Sequence, residues 1–195
     1  MLTVIGTRKS RAFRVLWMLE ELGVAYEHDP SMPRTPAVLA ANPSGKIPAL
    51  LVEGAALTDS TAILTYLADK HGRFTSPSGS LERARQDALT CTILDEVDGA
   101  LWTAAKHSFV LPEDHRVPDV KSTAKWEFER ALGRISDAFE GPFLMGDEMT
   151  VPDIVLVHCL GWAKIAGFPD PDARLSAYAK ETRGRDAYTR AAALP

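Results

Sequence analysis

The sequence has few cysteines and no long apolar run, and both absences exclude classes of protein. Its two cysteines, Cys91 and Cys159, lie far apart and form no CxxC motif, so we predict two small buried hydrophobic residues rather than a redox or metal pair. Five scattered histidines give no metal-ligand spacing, and no metal is expected. No apolar stretch approaches the length of a membrane span, and Met1–Ile5 lacks the charged start of a signal peptide. We therefore expect a cytoplasmic protein that binds no membrane.

An excess of basic residues is also absent. The net charge of −4 and the isoelectric point near 5.7 argue against a nucleic-acid partner, because phosphate binding depends on clustered Lys and Arg. Residues 1–75 carry eight Lys or Arg against seven Asp or Glu, and the remaining residues carry 14 against 19. A chain of 195 residues buries about 70% of its unfolded surface and needs no disulfide or metal for stability.

The first third of the chain alternates between strand and helix patterns. Apolar residues recur every three or four positions over Arg11–Leu22, which is the spacing of one helix face, and Gly23 provides a C-terminal stop. Glu53-Gly54 lies between two apolar runs and is a hairpin signal. The predicted order is β, α, β, α, β, β, α, with elements at Leu2–Ile5, Arg11–Leu22, Val24–His28, Ala37–Ala41, Pro48–Val52, Ala55–Leu57 and from Asp59-Ser60 to Gly72.

Strand patterns disappear after a segment rich in Ser, Pro and Gly, which we predict to be a linker at residues 73–82. Helical apolar spacing then covers Leu81–Val110 and Val120–Phe139. The sequence thus predicts an α/β domain at residues 1–75 followed by an all-helical bundle at residues 83–195.

One helix start in the second domain is specified by three local interactions: the two hydrogen bonds of a capping box and one hydrophobic staple. Thr150 and Asp153 have the spacing of a capping box, and Met149 and Ile154 stand where a hydrophobic staple packs. We expect a folding role, and loss of the Thr150 hydroxyl should cost about 1 kcal/mol.

The Ile47-Pro48 bond precedes a predicted strand and has two interpretations. A cis bond in a tight turn directs the preceding backbone N–H and C=O outward, where an extended peptide pairs with Ile47 as an added strand. A trans proline would only open an edge strand.

Asp59 and Ser60 stand at the head of a predicted helix, where unpaired amides and the helix dipole favour a carboxylate. Either side chain can instead serve as a helix cap. Lys46 can pair with a second carboxylate of the same ligand, or it is an ordinary surface lysine.

Ser10 precedes the first predicted helix, where it can cap the helix and also donate to a thiolate placed at that helix end. Thr7 is a rival donor. The neighbouring basic residues attract an anionic ligand or occupy ordinary solvated positions; they are Arg8, Lys9, Arg11 and Arg14.

Taken together, these residues make the chain resemble the cytosolic glutathione S-transferases over essentially its whole length. The resemblance is carried by Ser10–Gly23, Asn42–Leu50, Asp59-Ser60 and the box at Thr150 and Asp153. It implies a thioredoxin-like domain followed by a helical bundle, which agrees with the predicted order of elements.

The resemblance also implies site roles. Pro48 would be cis, the Ile47 backbone would pair with the cysteinyl part of glutathione, and Lys46 would bind its glycyl carboxylate. Asp59 and Ser60 would hold the γ-glutamyl end, with Asp59 standing where many relatives have Glu. Ser10 would activate the thiol, and a one-residue shift would give that place to Lys9 or Thr7.

The second substrate implied by the resemblance is a hydrophobic electrophile, and Trp102, Lys106 and His107, with Phe109 beside them, are candidates for its wall. A homodimer is implied. Asp95, Glu96 and Asp98 would reach the glutathione of the partner subunit, or they form an exposed acidic face. The predicted function is a glutathione transferase that acts on a hydrophobic electrophile or a peroxide. The alternatives are a non-catalytic binding or scaffold module and a glutathione-dependent disulfide reductase.

Overall fold

The computed structural model describes all 195 residues and divides them into two compact units. The first contains residues 1–78 together with residues 182–195, and the second contains residues 79–181. None of the helices combines the length and the apolar composition that a bilayer crossing requires.

The first unit is built on a mixed four-stranded sheet with strand order β2-β1-β3-β4. β1 runs parallel to β2, with Leu2 opposite Tyr26, and antiparallel to β3, with Ile5 opposite Ala49. β3 and β4 form the antiparallel hairpin predicted from Glu53-Gly54. The strands are β1 Leu2–Ile5, β2 Tyr26–Asp29, β3 Ala49–Val52 and β4 Ala55–Thr58.

Three helices alternate with these strands and confirm the predicted order of elements. They are α1 Ala12–Leu22, α2 Pro36–Ala41 and α3 Ser60–His71. α1 and α3 end at Gly23 and Gly72, whose φ angles of 68° and 60° are left-handed and suit glycine. Every residue of α1 from Ala12 to Leu19 is buried, so this helix forms much of the core.

The second unit is helical, as predicted. Its first long helical run extends from Leu81 to Val110, but it is α-helical only in part, because two stretches adopt the wider π-helical winding. Apolar spacing did not reveal this interruption. The elements are α4 Leu81–Thr92, a π-helix Ile93–Asp98, α5 Gly99–Ala105, a π-helix Lys106–Val110, a 3₁₀ turn Glu113–His115, α6 Val120–Ala138, α7 Val151–Ile165 and α8 Ala173–Arg183, which ends across the boundary between the units.

The last helix, α9 Asp186–Ala193, differs from the predicted organisation because it belongs to the first unit. Arg185 makes two hydrogen bonds to the Glu21 carboxylate at 2.6 and 2.7 Å, and the Tyr188 ring lies 5.0 Å from that of Trp17. The sequence had placed residues 182–195 with the helical bundle. Helical spacing identifies a buried face but not the helix against which that face packs.

Cys159 and Asp98 are buried in the second unit, whereas Cys91 is exposed. Cys159 is buried, as predicted, whereas Cys91 is exposed, so the prediction for Cys91 is wrong. Asp98 is also buried and accepts a weak hydrogen bond from Cys159 Sγ at 3.7 Å. It therefore does not belong to an exposed acidic face.

Asp153 is the centre of the predicted capping box, which the structure confirms at the start of α7. Its buried carboxylate accepts hydrogen bonds from Thr150 N at 2.8 Å, Leu144 N at 2.9 Å and Tyr178 Oη at 2.7 Å. Burial raises the pKa of Asp153, against the opposing effect of these hydrogen bonds. One side chain thus joins the start of α7 to the preceding turn and to α8.

Gly6 is a point of close approach between β1, the start of α1 and the turn before β3. Its φ of 138° is unfavourable for residues with a side chain. A β-carbon placed on Gly6 would lie 2.9 Å from Ile47 Cβ and 3.1 Å from Ala12 Cβ. Only glycine therefore fits at this position.

We expect Asp153→Ala to lower the free energy of unfolding by about 3 kcal/mol, because it leaves several buried donors without an acceptor. The exposed Asp147 is the matched control, and Asp147→Ala should change that free energy by less than about 0.5 kcal/mol. Because the folded pKa of Asp153 lies above its unfolded value of 3.8, the advantage of wild type over Asp153→Ala should be largest below that value and decline as pH rises towards the folded pKa. Urea unfolding at several pH values measures both effects.

We expect Gly6→Ala to lower the free energy of unfolding by about 3 kcal/mol, because the added methyl group meets two side chains at an unfavourable φ. Gly133→Ala is the control: Gly133 lies in α6 with open space at its β-carbon, so alanine should raise stability by about 0.5–1 kcal/mol. Equal effects of the two substitutions would contradict the packing described for Gly6.

Candidate functional site

Ser10 lies in the turn between β1 and α1 and is partly buried. Its hydroxyl donates to Thr7 O at 2.7 Å, and its oxygen accepts from Ala12 N at 3.1 Å. The Ser10 oxygen therefore satisfies the amide of the first residue of α1, one position before the N-cap residue Arg11. The second interpretation, donation to a ligand, requires the hydroxyl proton to turn away from Thr7 O.

Ile47 and Pro48 lie just before β3, beyond the last paired position of the ladder, Ile5 opposite Ala49. The bond between them is cis, as the resemblance implies, and the trans alternative is wrong. Ile47 also contacts the Gly6 position, where the start of α1 arrives through Ala12. The Ile47-Pro48 turn and the segment bearing Ser10 are therefore neighbours.

Lys46 is exposed, and its backbone is held by the loop that precedes it. Asn42 Nδ2 donates to Lys46 O at 2.9 Å, and Asn42 Oδ1 accepts from Ser44 N at 3.1 Å. Lys46 N donates to Ser44 Oγ at 3.3 Å. Polar residues of the Asn42-Pro43-Ser44-Gly45 motif thus fix the backbone and leave the Lys46 side chain in solvent.

Asp59 and Ser60 form the start of α3, where the Asp59 side chain caps the helix and the Ser60 side chain is buried. Asp59 has a φ of 69°, and its Oδ1 accepts from Thr61 N at 2.8 Å and Ala62 N at 3.1 Å. Asp59 is therefore the helix cap, which leaves fewer free amides at this helix end for a ligand. Ser60 is 3% exposed, and the buried Thr61 Oγ1 beside it has no hydrogen-bond partner.

Arg14 is part of this site, although the sequence offered only an anionic attraction or a solvated position for it. It is fully buried in α1, at 0% exposure, so the solvated interpretation is wrong. Its Nη1 donates to Ser60 Oγ at 3.3 Å, which joins α1 to the start of α3. A charged residue inside the apolar stretch of α1 was the available signal, because arginine is rarely buried without a polar partner.

Three segments of the first unit thus meet through contacts that the structure records. Gly6 joins the Ser10 turn to Ile47, and the Arg14 to Ser60 hydrogen bond joins α1 to the start of α3. The arrangement combines hydroxyl groups, a buried guanidinium and a helix N-terminus, all of which favour anionic groups. An extended ligand with a carboxylate and a thiolate has the matching chemistry.

Trp102, Lys106 and His107 belong to the second unit, on α5 and the π-helix that follows it. All three are partly buried, and His107 Nδ1 accepts from Val117 N at 3.0 Å. Phe109, in the same π-helix, is 71% exposed. The role of these residues in binding a second substrate stays a prediction.

Comparison with known proteins gives a consistent set of relatives. The family model described as glutathione S-transferase, N-terminal domain, matches residues 10–70. A maleylacetoacetate isomerase of Rhizobium meliloti is 29% identical over 164 residues, covering 77% of this chain and 75% of the relative. The glutathione S-transferase GST-4.5 of Xanthomonas campestris is 31% identical over 147 residues, covering 71% of this chain and 70% of the relative.

A solved structure is similar over the full length of the chain. The theta class glutathione S-transferase of Xanthomonas axonopodis, with glutathione bound, superposes with a TM-score of 0.80 and 27% identity, covering 100% of this chain and 98% of that one. The family model covers Ser10, the Ile47-Pro48 turn and the start of α3, the same segments that meet in the structure. The chain therefore belongs to the glutathione S-transferase family.

Proposed function

We propose that this protein binds glutathione and activates its thiol for attack on a hydrophobic electrophile or a peroxide. The observation that carries the proposal is the meeting of the Ser10 turn, the Ile47-Pro48 turn and the start of α3 through Gly6 and Arg14. The glutathione bound to the Xanthomonas axonopodis relative supports the choice of ligand.

Each part of glutathione has a chemically matched partner in this arrangement. The Ser60 hydroxyl would donate to the γ-glutamyl carboxylate, and Asp59 would accept from the amino group through the oxygen that does not cap α3. The Ile47 backbone, which lies outside the sheet ladder, would pair with the cysteinyl residue as an added strand. Lys46 would reach the glycyl carboxylate from its solvent-exposed position.

Ser10 is our candidate for activating the thiol. Rotation of its hydroxyl away from Thr7 O would direct the proton at the sulfur, while Ala12 N continues to donate to the Ser10 oxygen. A hydrogen bond to the thiolate and the nearby helix N-terminus both lower the pKa of a thiol from about 8.5. Thr7 and Lys9 remain the alternatives, since both lie in the same turn.

The second substrate would be a hydrophobic electrophile, for which Trp102, Lys106 and His107 stay our candidates. We also propose that the protein forms a homodimer, as the family resemblance implies.

The alternative function is a non-catalytic scaffold. A scaffold would not bind glutathione at about millimolar concentration, and isothermal titration calorimetry measures this binding.

The relative from Rhizobium meliloti supports a second candidate reaction, the isomerisation of maleylacetoacetate. Reversible addition of a thiolate to a double bond permits rotation about that bond, so the same activated thiol would serve. A screen of conjugation, peroxide reduction and this isomerisation would distinguish the three reactions.

We expect Ser10→Ala to raise the pKa of the bound glutathione thiol by about one to two units, because the thiolate loses a hydrogen bond. Conjugation at neutral pH should fall about 10- to 100-fold with little change in the Kd of glutathione. Ultraviolet absorbance of the bound thiolate against pH measures the pKa, and calorimetry measures the Kd.

Thr7→Val is the matched control, because it removes the rival hydroxyl and leaves Ser10 in place. If Thr7→Val raises the thiol pKa and Ser10→Ala does not, Thr7 is the activating residue. If neither variant changes the pKa, a hydroxyl of this turn does not activate the thiol.

A further inference from the structure

A short segment at the end of β2, residues 28–31, holds the backbone just after β1. Gly6 N donates to Asp29 O at 2.8 Å, and Thr7 N donates to Ser31 O at 3.1 Å. These hydrogen bonds extend the contact of β1 with β2 beyond the last paired residues of the two strands. The turn that leads to α1 starts at this point, so the 28–31 segment determines where that turn begins.

The carbonyl of Gly6 is held by a side chain in place of a backbone donor. If the parallel ladder continued, Ser31 N would donate to Gly6 O. Ser31 N donates instead to Asp29 Oδ1 at 3.0 Å, and Ser31 Oγ donates to the same oxygen at 2.6 Å. The donor for Gly6 O is His28 Nε2, at a distance of 3.0 Å.

The contact between His28 and Gly6 determines which ring nitrogen carries the proton. A carbonyl oxygen only accepts hydrogen bonds, so Nε2 is the N–H group. His28 Nδ1 is buried and has no hydrogen-bond partner. Because a buried polar atom without a partner costs free energy, an apolar side chain would be the better choice for packing alone. The donor at Nε2 therefore explains why a histidine stands here.

The peptide group between Gly6 and Thr7 is consequently held on both sides. Its C=O accepts from His28, its N–H donates to Ser31 O, and these two groups point in opposite directions across a planar trans peptide. Rotation of this peptide plane would break both hydrogen bonds. Thr7 O in turn accepts from Ser10 Oγ at 2.7 Å. A chain of contacts thus runs from His28 through the backbone to the Ser10 hydroxyl.

We propose that His28 is a positioning residue for thiol activation. Its hydrogen bond to Gly6 O fixes the Gly6-Thr7 peptide and thereby the place of the Ser10 hydroxyl. This inference rests on the proposed function, because it concerns the activation of the same glutathione thiol. His28 acts through the backbone and has no assigned contact with glutathione, so it should change the reactivity of the thiol and leave the affinity for glutathione nearly unchanged.

Two amide variants of His28 test whether the position of the donor matters. In His28→Gln the amide nitrogen is as many bonds from the backbone as Nε2 and can still donate to Gly6 O, whereas in His28→Asn it is one bond too short. We expect His28→Asn to raise the pKa of the bound glutathione thiol by about one unit and to lower kcat at neutral pH about tenfold. The Kd of glutathione should stay within about twofold of wild type.

Rescue by glutamine separates positioning from a general loss of stability. His28→Gln should keep the thiol pKa within about 0.3 units of wild type, because the hydrogen bond to Gly6 O is retained. His71→Asn is the matched control at an exposed histidine of the same unit and should leave the thiol pKa and kcat unchanged. If His28→Asn lowers the free energy of unfolding but keeps the wild-type thiol pKa, His28 is only structural and the proposal is overturned.

A double-mutant cycle tests the route through Ser10. In the Ser10→Ala background, His28→Asn should raise the thiol pKa by less than about 0.3 units, because the hydroxyl that His28 positions is already missing. An increase as large as in the wild-type background would mean that His28 does not act through Ser10, which would overturn the proposal.

Wild type alone provides a readout if His28→Asn does not fold. Nitrogen-15 NMR of the histidine rings, recorded above the ordinary titration range of histidine, should show His28 protonated at Nε2 and bare at Nδ1. A ring protonated at Nδ1 instead has no donor for Gly6 O and would overturn the proposal. Failure of wild type to bind glutathione would contradict the proposed function itself, whereas a wild-type thiol pKa in His28→Asn contradicts only the role of His28.

Discussion

The candidate site depends first on a packing constraint, the absence of a side chain at Gly6. β1 ends there, α1 begins a few residues later, and the Ile47-Pro48 turn arrives from the other side. Because interiors pack at the density of crystals, a methyl group at this point would separate segments whose contact creates the site. The glycine therefore matters for the position of Ser10 relative to Ile47, although it carries no functional group of its own.

The second contact is the hydrogen bond from Arg14 to Ser60, which joins α1 to the start of α3. Asp59 caps this helix and accepts from two of its first amides, which stabilises α3. The two residues at this helix start therefore have different partners: Asp59 accepts from its own helix, and Ser60 accepts from α1.

Ser10 shows a similar division of roles. In the structure its hydroxyl closes the turn onto Thr7 O and accepts from Ala12 N, so it stabilises the start of α1. The same hydroxyl can activate a thiol only by exchanging one local hydrogen bond for another. The proposed role of Ser10 in activating the thiol depends on that exchange.

Local patterns in the sequence were sufficient for the order of strands and helices in the first unit, the glycine stops of α1 and α3, and the capping box at Thr150 and Asp153. Each of these features depends on neighbours a few positions apart. The tertiary structure alone decided that α9 packs on α1, that Cys91 is exposed and Asp98 buried, and that Arg14 reaches Ser60. These features join residues separated by many positions along the chain. Periodicity identifies a face that will be buried, but only the folded chain determines what that face contacts and which buried charge it brings to a site.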